Sequence, residues 1–276
     1  MTGIAGLEIF VSDESHGDMS LTNYEKLAIR INDSYFSWSL RNLRCFPAHC
    51  FSVIRNRLRF LGSCDINPKK VFCPTLGLGD KVVVIDDTND FIFRESGVFS
   101  KSRWRCDAVV TNLFNFPLMF QSSDCPIAIL FDPSKEVFAK IHSGRENTIK
   151  NIAGKAVRTM KAVFSCQPAD IIVSFPSPHI CEKCHLLTFI GFNLFDEEIR
   201  KIMPAIAKVN GGWEFDLRKA IKIQLRSEGV EKILPDDPEC TLCGEGNHFS
   251  HRGWSIRHPH HTKTGRFAVV TVMRNV

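Results

Sequence analysis

Three apolar segments follow one another closely in the middle of the chain, and their spacing constrains the fold more than any other feature. They are Ala108–Val110, Ile127–Phe131 and Val137–Ile141. The last two are separated by Asp132-Pro133-Ser134-Lys135, which has the composition of a tight turn, so we predict a β-hairpin. Cys125, just before one strand, and His142, just after the other, are therefore expected at the same open end of the hairpin.

Other patterns predict both strands and helices. Apolar runs predict an edge strand at Ile4–Val11 and further strands at Val82–Ile85, Asp170–Ser174 and Phe267–Met273. Apolar residues at helical spacing predict helices over Ser52–Leu61, Glu146–Phe164 and Phe215–Gly229. The His-rich stretch His248–His261 is predicted to be a solvated loop around Pro259. Because strands and helices do not alternate regularly, the predicted fold class is α+β, with mixed or antiparallel sheets and flanking helices.

Composition limits the classes of function. A chain of 276 residues that is 44% hydrophobic can bury a core, which excludes disorder. The 35 basic and 30 acidic residues are scattered, so we expect anionic small molecules as partners and no nucleic acid. No apolar run reaches the roughly 18 residues of a membrane helix, and the start lacks the pattern of a signal peptide. We therefore expect a cytoplasmic protein, with its 11 cysteines reduced.

Four motifs carry a resemblance to a known family: Cys106–Asn112, Ser123–Pro126, Phe131–Pro133 and His142–Gly144. In this order and spacing the chain resembles the laccase-domain family, whose members were first called polyphenol oxidases and are regarded as purine nucleoside phosphorylases with additional adenosine deaminase activity. Segments Phe215–Leu217, Cys240–Cys243 and Thr264–Arg266 continue the resemblance. It is strong over 82–276 and weak over 1–81, and it implies one laccase-type domain over 1–276 with a fold similar to that of the Cys-hydrolase toxins.

The resemblance also implies a site. Family members bind zinc with one Cys and two His residues; Cys125 and His142 match the Cys and the second His. No His stands at Thr75–Gly79, where the first would lie, so the implied zinc set is incomplete. Asp124 is expected to join Cys125 and His142 as a catalytic residue. The expected ligands of phosphate and substrate are Arg145, Arg252 and Arg266.

The implied reaction is cleavage of adenosine-like or inosine-like nucleosides by phosphate, with adenosine deamination as a second activity. Two alternatives use the same residues. Cys125 and His142 could form the dyad of a hydrolase or amidase, or the chain could be a catalytically impaired paralogue that only binds a ligand or partner. Zinc is expected rather than copper, because no set of H-x-H motifs at the spacing of copper sites is visible.

A second constellation is independent of the family. Cys181-Glu182-Lys183-Cys184 and Cys240-Thr241-Leu242-Cys243 are C-x-x-C motifs, the spacing with which two thiolates of one turn share a zinc ion. They predict a structural zinc site that joins two distant segments. The alternative is a set of reduced cysteines without a metal.

Overall fold

The computed structural model describes residues 2–4, 6–20, 48–77, 79–86, 98, 104–188, 196–236, 239–246, 248–259 and 264–274. Its strands are β1 (Thr2–Ile4), β2 (Leu7–Val11), β3 (Val82–Ile85), β4 (Ala108–Thr111), β5 (Leu118–Ser122), β6 (Ile127–Asp132), β7 (Val137–His142), β8 (Ile172–Ser174), β9 (Leu186–Leu187), β10 (Ile206–Val209), β11 (Gly212–Phe215), β12 (Lys232–Ile233) and β13 (Phe267–Met273). Its helices are α1 (Ala48–Ser63), α2 (Arg145–Ile149), α3 (Ile152–Phe164), α4 (Glu197–Ile202), α5 (Leu217–Ser227) and α6 (His251–Arg257). Within these ranges, none of the helices has the length and apolar character needed to cross a bilayer.

The largest sheet has six strands in the order β12-β8-β6-β7-β4-β3. It is mixed: β3 runs parallel to β4 and β12 runs parallel to β8, whereas the remaining neighbours are antiparallel. The predicted hairpin is β6–β7, in which Ile127 pairs with His142 and Asp132 with Val137. Asp132 Oδ1 closes its turn by accepting hydrogen bonds from the backbone N–H groups of Ser134 and Lys135. The predicted hairpin is confirmed.

Two smaller sheets complete the fold. One is antiparallel, with the order β1-β2-β13-β5, and packs on one face of the six-stranded sheet. The other has the order β10-β11-β9 and forms a separate apolar cluster with α4. Helices pack on the outer faces: α3 and α5 on the six-stranded sheet, and α1 on the four-stranded sheet. The predicted α+β class with mixed and antiparallel sheets is confirmed.

Alternation along each strand produces these layers, because successive side chains point to opposite faces of a sheet. In β6, Ala128 and Leu130 contact the helices, whereas Ile129 and Phe131 contact the four-stranded sheet. Since both faces are covered, β6 and β7 are buried along their whole length. This is why their sequence is a nearly continuous apolar run.

Several sequence predictions need correction. The predicted helix over 146–164 is two helices, because Asn151 adopts a left-handed conformation (φ 56°) and its side chain accepts a hydrogen bond from Gly154 N, capping α3. The stretch 4–11 is not one edge strand: Gly6 (φ 86°) turns the chain, and β2 lies between β1 and β13.

The helix predicted over 215–229 begins at Leu217, since Phe215 ends β11 and Asp216 caps the helix. The strand predicted over 170–174 begins at Ile172, after a short 3-10 turn at Pro168–Asp170. The His-rich stretch contains helix α6 rather than a loop alone, because Ser250 caps it by accepting a hydrogen bond from Gly253 N. His260 and His261 lie outside the described residues.

Candidate active site

Cys125 and His142 lie side by side at one end of the six-stranded sheet. The pairing of Ile127 with His142 fixes their relative height, and Ser122 Oγ holds the turn by donating a hydrogen bond to Cys125 O (2.7 Å). The Cys125 side chain lies close enough to interact with the His142 ring and to raise its pKa. The structure therefore brings together the two residues on which the sequence argument rests.

Asp107 is the third member of this cluster. Its Oδ1 lies 3.1 Å from His142 Nδ1, and its Oδ2 accepts a hydrogen bond from Gly79 N at 3.2 Å. Asp107 is only 1% exposed. Sequence reasoning did not single it out, although it stands in the Cys106–Asn112 motif. Asp107 directly precedes β4, and Ala108 of β4 pairs with Ile141, the residue before His142. This position is the signal that could have identified Asp107.

The charge state of His142 follows from this environment. Burial lowers the pKa of its imidazole, but interactions with the Cys125 side chain and with the Asp107 carboxylate outweigh burial and raise the pKa to about 9. The ring is therefore protonated at neutral pH. A buried imidazolium between a sulfur and a carboxylate can give up a proton to a bound substrate.

Gly144 provides the space that the Cys125 sulfur occupies. A Cβ atom at this position would lie 2.8 Å from Cys125 Sγ, closer than real contacts allow. Gly144 is also the residue from which α2 starts, and its backbone N–H donates to Asn147 Oδ1 (3.1 Å). The absence of a side chain here thus keeps the thiol next to His142.

Asp124 connects the Cys125 turn to two other segments. Its Oδ1 accepts a hydrogen bond from Thr241 Oγ1 (2.6 Å), and its Oδ2 accepts one from Arg252 N (2.7 Å). Its backbone oxygen accepts a third from Ile180 N (2.9 Å). Both carboxylate oxygens of this predicted catalytic residue are thus engaged by other parts of the chain.

Two of the three predicted phosphate ligands are joined through the backbone to the segments that carry Cys125 and His142. Arg145 follows Gly144, and Arg252 joins Asp124 through its backbone while its Nη2 donates to Leu186 O (2.9 Å). Arg145 also pairs with Glu146 at 3.0 Å. Arg266 is held differently: its backbone N–H donates to Asp18 Oδ1 (3.0 Å), and its Nε is buried without a partner in the described part of the chain.

Sequence reasoning missed His185, whose ring lies within the electrostatic influence of both Arg145 and Arg252. Burial lowers the pKa of its ring, and the positive charges of Arg145 and Arg252 lower it further, against a hydrogen bond of 2.8 Å to Phe215 O. The nearby carboxylate of Asp124 acts against these two charges and raises the pKa. His185 follows the first C-x-x-C motif directly, which is the only hint that the sequence gives of its place.

The residues present do not complete a catalytic zinc site. Such sites have three protein ligands and an open position, whereas Cys125 and His142 supply two. The turn Thr75–Gly79 contains no Cys, His, Asp or Glu, and its Gly79 N instead binds Asp107. Among the described residues, no third ligand joins the pair to make a metal-binding group.

The four cysteines of the two C-x-x-C motifs come together in the structure. The sulfur atoms of Cys181, Cys184, Cys240 and Cys243, called the four-cysteine group below, all lie within 4.8 Å of one another. All four are free thiols. This group could hold a metal ion. The first motif follows β8 and the second lies in a turn between β12 and α6.

The chain matches the family model of the multi-copper polyphenol oxidoreductase laccases over residues 49–274. It belongs to this family. The matched range contains Cys125, His142, Asp107 and the four-cysteine group, and the match confirms the laccase-domain resemblance of the sequence motifs.

Individual relatives are more distant. A purine nucleoside phosphorylase of Clostridium acetobutylicum is 31% identical over 153 residues, which are 53% of this chain and 60% of that protein. A protein named adenosine deaminase RL5, from an unknown prokaryotic organism, is 28% identical over 162 residues, 54% of this chain and 58% of its own length. The chain thus spans less than two thirds of these relatives. The crystal structure of YlmD from Geobacillus stearothermophilus has the same fold, with a TM-score of 0.73, 20% identity, and coverage of 98% of this chain and 93% of that one.

Proposed function

We propose that this protein cleaves purine nucleosides with phosphate, releasing the free base and ribose 1-phosphate, and that it deaminates adenosine as a second activity. The relatives named purine nucleoside phosphorylase and adenosine deaminase support this proposal. The observation that carries it is the protonated His142 beside Cys125, with Arg145 three residues further along the chain and Arg252 bonded through its backbone to Asp124. A proton donor with arginines on the adjoining segments suits a reaction in which a phosphate anion attacks and a base leaves.

In the proposed reaction, a phosphate oxygen attacks C1′ of the ribose. The bond from C1′ to N9 of the purine breaks, and its electron pair moves into the base. Arg145 and Arg252 bind the phosphate, because guanidinium groups match phosphate oxygens in geometry and charge. His142 gives its proton to the leaving purine, which becomes a neutral base. Phosphate and ribose thus join as the glycosidic bond is lost.

Asp107 and Cys125 prepare His142 for this transfer. Asp107 binds Nδ1, so the other ring nitrogen carries the proton that moves. Both partners raise the pKa of the imidazole, so the acid is charged before substrate arrives. Asp124 keeps Cys125 in place rather than exchanging protons, since both of its carboxylate oxygens already accept hydrogen bonds.

Zinc is the metal that we propose for this protein, at the four-cysteine group. Four thiolates in close contact are typical ligands of a structural zinc ion, whereas copper sites of the oxidase type use histidine. We derive no step through a zinc ion at Cys125 and His142, because the ligand set there is incomplete. The described cysteines are free thiols, which supports a cytoplasmic location, where thiols stay reduced.

The test is incubation of the purified protein with adenosine, inosine or guanosine, with and without phosphate and with and without added zinc. We expect free base only when phosphate is present, and strong loss of activity in His142→Asn. His16→Asn is the matched control, since His16 is half-buried and its Nδ1 bonds only locally, to Asp13 three residues earlier. No base release under any of these conditions would refute the proposal.

A second candidate function rests on the same three residues. A thiol, an imidazole close to it and a carboxylate bonded to the imidazole are the parts of a cysteine hydrolase. This function predicts a thioester on Cys125 when amide or ester substrates are added, and turnover without phosphate. Mass spectrometry of the quenched protein separates the two candidates. Binding of nucleosides without any turnover would identify an impaired paralogue.

A further inference from the structure

The four-cysteine group has the spacing of a site for one tetrahedral ion. Around a zinc ion the sulfur atoms are about 3.8 Å apart, which follows from a Zn–S bond of about 2.3 Å. Cys181 Sγ and Cys243 Sγ are separated by 3.8 Å. Disulfide-bonded sulfurs lie only about 2.05 Å apart, so the arrangement fits a shared ion better than a pair of disulfides.

Backbone N–H groups already point at one of the sulfurs. Cys181 N and Leu242 N donate hydrogen bonds to Cys240 Sγ at 3.3 and 3.4 Å. Such donors stabilise a thiolate, the form of cysteine that binds metals. Cys181 belongs to the first motif and Cys240 to the second, so the bond also joins the two motifs. Gly244 permits the second turn, because a Cβ atom there would lie 2.4 Å from Cys240 O.

The residues next to two of these cysteines hold Asp124. Ile180, which precedes Cys181, donates its backbone N–H to Asp124 O at 2.9 Å. Thr241, which follows Cys240, donates its hydroxyl to Asp124 Oδ1 at 2.6 Å. The two motifs therefore contact two different atoms of Asp124, the residue before Cys125. The relative position of the motifs decides whether both bonds form.

We propose that the four-cysteine group binds one Zn²⁺ ion, and that this ion fixes Asp124 and thereby Cys125 in its position beside His142. The motifs are separated by the 55 residues at 185–239 in the sequence. The ion joins the two motifs next to Asp124. The ion does not meet the substrate; it positions the pair. Its effect on turnover rests on the proposed function, whereas its effect on Cys125 does not.

The metal site is tested first. Zinc is measured by mass spectrometry of the metal content in protein purified without added zinc, and CoCl₂ is then added to chelator-treated protein. We expect one zinc per chain, and a cobalt spectrum with the intense visible bands of a four-thiolate site. Cys243→Ser, which changes the exposed member of the group, should lose both. Protein without bound zinc and without a cobalt spectrum would overturn the metal assignment.

The positioning step is tested by the alkylation rate of Cys125, followed with iodoacetamide and peptide mapping. We expect removal of zinc to slow alkylation about tenfold, roughly the effect of one hydrogen bond, and added ZnCl₂ to restore it. Thr241→Val should slow alkylation to a similar extent and still bind one zinc, because it keeps all four ligands. Thr159→Val is the matched control, since its hydroxyl bonds only within α3.

Equal rates with and without zinc, or a wild-type rate in Thr241→Val, would overturn the positioning role. The Thr241→Val variant decides this question even when Cys243→Ser does not fold. Alkylation needs no nucleoside, so the result is separate from the proposed reaction. Zinc-dependent alkylation without any phosphorolysis would refute the proposed function and leave this inference standing. Phosphorolysis at an unchanged rate after zinc removal would support the proposed function and refute this inference.

Discussion

Replacing Asp107 with Asn removes a negative charge beside His142 and hardly changes the shape of the side chain. The raised pKa of His142, from 6.5 to about 9, corresponds to a preference of about 3 kcal/mol for the protonated ring. Asp107 supplies part of this preference, through the 3.1 Å contact with Nδ1 and through its charge. We expect Asp107→Asn to lower the pKa of His142 by roughly one pH unit, which corresponds to about 1.4 kcal/mol.

The assay is an NMR titration of the His142 ring nitrogens, assigned with a His142→Gln variant. The alkaline limb of the activity profile should move to lower pH by the same amount, because less acid is then available to protonate the base. Stability should fall by about 1–2 kcal/mol, since Gly79 N loses its charged acceptor. Asp170→Asn, at a half-exposed carboxylate that faces Lys232, serves as the control. An unchanged or raised His142 pKa would refute this account of the site.

Three further predictions concern neighbouring features. In Gly144→Ala the new methyl group forces the Cys125 sulfur to turn away from His142, so phosphorolysis should be lost while circular dichroism stays the same. Asn151→Ala should cost about 2 kcal/mol in urea unfolding, because α3 loses its cap and the left-handed residue becomes strained; a cost near zero would contradict the split-helix description. Because the pKa of His142 is raised in the folded protein, protonation of the ring stabilises the fold by up to about 3 kcal/mol. This contribution is complete below a pH of about 6.5 and should be lost as the pH rises through about 9. A free energy of unfolding that does not change with pH across this range would disprove it.

The part of the site that lies on the hairpin was predictable because its register is local. A turn with the composition of Asp132-Pro133-Ser134-Lys135 fixes which residues pair, and the pairing places Cys125 and His142 together. Asp107 and His185 come from distant segments, through the pairing of β4 with β7 and through the packing of the first C-x-x-C turn. Contacts of this kind leave no periodic signal in a single sequence.

The ends of helices and the burial of one lysine were also not predictable from the apolar pattern. Apolar residues continue at helical spacing on both sides of Asn151, so periodicity alone joins α2 to α3. Lys140 interrupts the apolar run of β7, yet it is fully buried, with its amine donating to Leu118 O (2.9 Å) and Thr271 Oγ1 (3.1 Å). Its partners lie in β5 and β13, in the sheet that packs against β7. The sequence of β7 alone therefore does not reveal them.

Cys125 and His142 lie together at one end of the six-stranded sheet, and we propose that a nucleoside and phosphate bind there. Protection of Cys125 from iodoacetamide measures this most directly, because the thiol is followed at a known position by peptide mapping. Adenosine and phosphate added together should slow its alkylation much more than either alone, and Arg252→Ala should weaken the contribution of phosphate. Alkylation at the same rate across millimolar concentrations of both compounds would contradict the claim.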